Sequence, residues 1–209
     1  MSKSGIVARC AAVTVGTVLL VGVAGIAMAE EGQGEQDIAV NVAIAEINQP
    51  GVLAMSVAGS TTTLTENGSD ATVRQFTGAL PTVTVTDTRN AEDIPAGVGW
   101  AVLGSSSDFI GSAGQAPISA GHLGWTPNVD SGENGLVAEG GEVVTVMDEE
   151  TLPGNNVGLV DQELLAMVLD SAEVAPEGQW TANANLSLRT PATVAAGDYT
   201  ANLTLSLFE

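Results

Sequence analysis

The chain has 209 residues, of which 25 are Asp or Glu and only five are Lys or Arg, giving a formal net charge of −20. Such a surface repels phosphate backbones and anionic membranes, which excludes nucleic acid as a partner. One histidine and one cysteine exclude a structural zinc site, and three Trp, three Phe and one Tyr are few for a sugar-lined catalytic cleft.

Residues 1–29 read as a secretory signal peptide. Lys3 and Arg9 form a positive start, Cys10–Ile26 is apolar or small without a charge, and Ala27-Met28-Ala29 supplies a small-x-small cleavage site. A membrane anchor is the competing reading, but the stretch is rich in Gly, Ala and Thr, and Glu30-Glu31 follow it instead of a basic cluster. Cleavage after Ala29 would leave no cysteine, no lysine and three arginines against 25 acids, a net charge of −22. The expected product is secreted, without disulfides, and has no membrane contact once the leader is gone. Its 180 residues are enough for one core.

Residues 30–37 are an acidic, Gly-containing lead. Ile38, Val40, Val42 and Ile44 then alternate against Ala39, Asn41 and Ala43 as a first strand, and Asn48-Gln49-Pro50-Gly51 is a turn. Residues 52–57, 61–65, 71–77 and 82–87 read as short strands, with a turn at Glu66-Asn67-Gly68-Ser69-Asp70. Residues 100–103, 122–126 and 141–147 are further strand candidates around a Gly- and Ser-rich stretch at 105–121. Residues 161–170 have Leu164, Leu165, Val168 and Leu169 spaced for one helical face, with Asp161 as a cap, so one short helix is expected there.

The ending carries the cleanest pattern. Ala182, Ala184, Leu186 and Leu188 face one way and Thr181, Asn183, Asn185, Ser187 and Arg189 the other, in a strand over residues 179–188. Tyr199, Ala201, Leu203, Leu205 and Leu207 oppose Thr200, Asn202, Thr204 and Ser206 over 198–207. Period two gives each strand a dry and a wet side, so the expected fold is all-β, a single antiparallel β-sandwich over residues 38–209. Tyr199, after Gly197-Asp198, has the setting of a corner tyrosine whose hydroxyl ties back to a loop.

Chemistry-bearing side chains are sparse. His122 is the one possible base for a serine hydrolase and stands at a strand entry. Asn128, Asp130, Glu133 and Asn134 cluster oxygen ligands among glycines, which makes Asp130 and Glu133 weak calcium candidates, although such clusters usually mark turns. No other metal and no cofactor is expected. Trp100, Trp125 and Trp180 are the candidate binding residues; burial between sheets is the ordinary role of an indole, and Trp180, at the start of its strand, is the best placed for exposure.

Three stretches have distinctive wording: GALPTVTVTDTR from Gly78, GVGWAVLGSSSDFIGSAGQAPISAGHLGWTP from Gly97, and LSLRTPATVAAGDYTANLTLSL near the end. Together they resemble the WxL-domain surface proteins of Gram-positive bacteria, in a divergent actinobacterial form. In this chain Trp100 and Leu103 stand three apart, and Leu205 follows Leu203-Thr204. The resemblance implies an Ig-like, secreted β-rich domain (β-sandwich) held non-covalently on the cell wall, with peptidoglycan or other surface proteins as partners. An LPxTG sorting signal is not expected, since Leu80-Pro81-Thr82-Val83-Thr84 is internal. The expected function is a non-catalytic, cell-wall-associated extracellular binding module. The alternative is a self-assembling structural subunit in which the Ile38–Ile44 strand adds to a neighbour's sheet edge.

Overall fold

Residues 51–130 and 135–209 are described by a computed structural model. The expected leader, the acidic lead and the 38–44 strand lie outside the described residues. In chain order the elements are β1 (Leu53–Val57), β2 (Thr65–Glu66), β3 (Val73–Ala79), β4 (Val83–Asp87), β5 (Trp100–Ser106) and β6 (Ile110–Gly111). They continue with β7 (Leu123–Val129), β8 (Ala138–Glu139), β9 (Glu163–Val168), α1 (Ser171–Val174), β10 (Gln179–Pro191), β11 (Tyr199–Thr200) and β12 (Leu203–Phe208).

β10 is the organising strand. Its 13 residues alternate without interruption, so one face stays dry along the whole length: Trp180, Ala182, Ala184, Leu186, Leu188 and Thr190 are all buried. One edge of β10 pairs antiparallel with β4 and then β3, and the other pairs with β7. β3 and β4 form one long row broken by Leu80-Pro81-Thr82, where Pro81 has no N–H for a ladder. Leu80 N–H keeps the row attached by donating to the Ala184 carbonyl at 2.8 Å. β1 and β2 form the outermost row, against β4 and β3 respectively. The turn joining β2 to β3 is set by Asp70, whose carboxylate accepts from the Thr72 and Val73 N–H groups at 2.7 and 2.8 Å.

The second sheet runs β12-β5-β9-β8, all antiparallel, and β6 and β11 form a separate two-stranded ladder. The two larger sheets face each other across one apolar cluster that includes Val83, Val85 and Leu186 from the first and Trp100, Val102 and Leu165 from the second. Residues Ile47–Glu209 cluster as one unit, and the fold is an all-β sandwich. β10 and β12 therefore do not pair with each other, although both alternate: they belong to opposite layers.

Several expectations need correction. Residues 161–170 are not helical; they hold strand β9, and the short helix lies just beyond, at Ser171–Val174. β9 lies between β5 and β8, and its apolar run Leu164-Leu165-Ala166-Met167-Val168 occupies both strand phases, which mimics a helical stripe. The cap is Asp170, whose carboxylate accepts from Ala172 N–H at 3.0 Å, and not Asp161. Residues 141–147 contribute only an isolated bridge, Val143 to Trp125. Of the 61–65 stretch only Thr65 is in a strand, while the Thr62 hydroxyl donates to the Ala79 carbonyl at 2.7 Å.

Candidate functional site

All three tryptophans lie inside. Trp100, Trp125 and Trp180 are 2%, 1% and 3% exposed, so none offers an indole face to a ligand. Trp180 shares the phase of Ala182 and Leu186 on β10, which turns it inward despite its place at the start of the strand. Its ring stands 5.7 Å from that of Trp100, joining the two sheets, and its Nε1–H donates to the Glu177 carboxylate at 3.2 Å. Trp125 fits because Gly104 lies opposite on β5. A Cβ at Gly104 would come 2.6 Å from the indole. These residues build the core.

His122 closes a 3-10 turn, and its Nδ1 lies 2.6 Å from the Arg189 carbonyl oxygen. A carbonyl only accepts, so this nitrogen carries the hydrogen and holds the ring to β10. Nearby Ser119 uses its hydroxyl to accept from Gly121 N–H. Asp148 is occupied as well: it accepts from Thr145 N–H and Oγ1 and pairs with Arg189. Asp130 follows β7, its N–H donating to the Thr181 carbonyl at 2.8 Å, and Glu133 lies outside the described residues. Among the described residues no three His, Cys, Asp or Glu side chains gather to hold a metal. Glu163 is a perturbed acid: burial, and then the charge of Asp161, push its carboxyl up. Tyr199 does what a corner tyrosine does, donating its hydroxyl to the Ala195 carbonyl at 2.9 Å.

Two surface features remain. The first is the outward face of the β10 sheet. Register brings Ser56, Thr84 and Thr181 into one row and Ala54, Thr86 and Gln179 into the next. Further along, Thr65, Thr77 and Ser187 share a row, as do Ala79, Asn185 and Thr126, and Asn183 faces Asn128. These rows contain hydroxyls, carboxamides and two alanines, and no ionised group. Hydroxyl and amide groups recur about every 7 Å along a strand and about 4.8 Å across it. Charges stand at the ends of these rows: Asp130 follows Asn128 and Val129 beside Thr181, Glu142 accepts from Thr126 Oγ1 at 3.2 Å, and Arg189, next on the same face of β10, pairs with Asp148. In a chain with 25 acids, a sheet face that keeps Asp130 and Glu142 to one margin and has none among its central rows is a selective feature. Part of it was legible in the alternation of Thr181 to Ser187; the rest needed the register that brings six strands together.

The second feature is a groove of about 1100 Å³ between the β1–β3 side of the first sheet and β12 of the second, lined by Met55, Val57, Phe76, Leu188, Leu203 and Leu205 among others. Thr190 also lines it, with a fully buried hydroxyl that has no hydrogen-bond partner. Arg74 stands at its wall, over the Phe76 ring and paired with Glu66, whose carboxyl the Arg74 hydrogen bond, with help from Ser69, pulls down to about 2.

No family model, no curated protein and no solved structure matches this chain.

Proposed function

We propose that this chain is a secreted, non-catalytic surface protein that associates non-covalently with the cell wall, through peptidoglycan or another surface component, and that the outward face of the β10 sheet makes the contact. The rows of Thr, Ser, Asn and Gln, uncharged except at the β7 margin, carry this reading. Glycan strands present hydroxyls and amides at short, regular intervals. Side-chain hydroxyls and carboxamides both donate and accept, so a flat array of them suits such a polymer better than a charged surface would. The remainder of the molecule is strongly anionic and would hold an anionic wall away, leaving this face as the one that can approach it. The signal-like start of the chain and the resemblance to WxL-domain proteins support the same setting.

Sedimentation with insoluble purified peptidoglycan tests the proposal. The full chain should pellet with the polymer, with little change between low and high salt, because the contact is uncharged. The double variant Asn183→Asp/Asn185→Asp should lose at least ten-fold in retention while its melting temperature stays within a few degrees. A wild-type chain left wholly in the supernatant would falsify the reading.

A further inference from the structure

The groove beside β12 has the form of a place for one more strand. β12 is the last strand of its sheet, and among the described residues nothing pairs with its outer edge. Its Leu203–Phe208 stretch contains no proline and no lysine, the usual guards of an open edge. Across the groove, Met55, Val57 and Phe76 of the first sheet face Leu203 and Leu205. Met55, Phe76, Leu203 and Leu205 are only half buried, and Val57 is 40% exposed. A strand added to β12 would cover them if one of its faces were apolar throughout.

One segment of this chain, outside the described residues, has that face: Ile38, Val40, Val42 and Ile44 alternate with Ala39, Asn41 and Ala43. We infer that residues 38–44 of a second copy of this chain add antiparallel to the free edge of β12 and set their four branched side chains into the groove, linking copies into oligomers.

The pairing sense and the chain length together point to a second copy as the donor. Antiparallel pairing, the more stable kind per residue, carries the donor from the Phe208 end of β12 to its Leu203 end. β1 begins at the Phe208 end, because Arg89 pairs with Glu209 there and Thr88 bonds to Val52. Six residues of β12 rise about 20 Å, and the sheets are about 10 Å apart. A chain returning that far through residues 45–50 would be at its full stretch of about 3.4 Å per residue. Asn48-Gln49-Pro50-Gly51 is instead a turn sequence, which shortens the reach. A neighbouring molecule has no such constraint.

This goes beyond wall association and uses a different face, so the two fail separately. Single-cysteine forms of the full chain, each with Cys10→Ser, provide the test: Val42→Cys (or Val40→Cys, one register on) in one and Leu205→Cys in the other. Mixed under oxidising conditions they should give a heterodimer on a non-reducing gel that neither gives alone. Light scattering should show the wild type as dimers or larger species, and Val40→Asp/Val42→Asp should return it to monomers with an unchanged melting temperature. A monomeric wild type, or no mixed band in either register, overturns the inference. So does a chain with both cysteines that closes on itself as a monomer. Wall retention of the monomeric variant would leave the proposed function standing.

Discussion

Asp87 ends β4 with its carboxylate 1% exposed, facing two guanidinium N–H groups of Arg89 at 2.9 and 2.7 Å and the Arg89 backbone N–H at 3.1 Å. Burial pushes its carboxyl up, but the Arg89 side-chain bonds, its backbone N–H and its charge together outweigh this and hold the group below the usual carboxylate range. A folded value below the unfolded one means that the stabilisation is complete above the ordinary value of about 4 and is lost as pH falls through the folded value. The melting temperature should therefore drop on acidification below about pH 4, and Asp87→Asn should flatten that part of the profile. At neutral pH, Asp87→Ala should cost about 3 kcal/mol in urea unfolding, because a largely buried guanidinium loses its main partner. The sequence gives little sign of this clasp, since its third member, Glu209, lies 120 residues from Arg89. The Tyr199 tie was legible because its partner is four residues away, within one turn.

Among the elements, β10 was the most legible and β9 the least. In β10 the two phases differ in chemistry at every step from Trp180 to Thr190 except at the ends, so the pattern identifies a strand with one dry side. In β9 both phases are apolar, and periodicity alone cannot separate that from a helix. The decisive signal was one turn further on: Asp170-Ser171-Ala172-Glu173 has a capping residue followed three places later by Glu. Asp170 also accepts from Gly97 N–H at 3.1 Å, which anchors the helix start to the loop before β5. Replacing Asp170 by Ala should lower stability by about 1 kcal/mol in chemical denaturation, the usual cost of a lost cap. Substituting Asp161 should change stability little, since α1 starts beyond β9. The tryptophans follow the same logic: Trp180 is placed by strand phase, not by nearness to a strand end.

For the whole molecule, alternation indicates how many strands have a wet and a dry side, but it does not say which strands are neighbours. The all-β class was therefore readable, while the uncharged rows of the outer face and the groove, which both arise from register and from the offset between sheets, were not. That same connectivity has a consequence in time. β3 finds its partner in β10 more than a hundred residues later, as in Thr77 with Ser187, and β5 waits for β12 across a similar span. A chain whose central strand is among the last to be synthesised can pair β1 with β4 and β5 with β9 beforehand, but it lacks the strand that completes the core. Completing the core needs the C-terminal thirty residues and then the closure of very large loops. Stopped-flow refolding should be slow, on a scale of milliseconds to seconds, with no early protected N-terminal hairpin in pulse-labelled hydrogen exchange. Until β10 arrives, the strand that joins β3, β4 and β7 is missing, so a chain stopped short of it should stay largely unfolded, the form in which a chain can pass through a narrow pore.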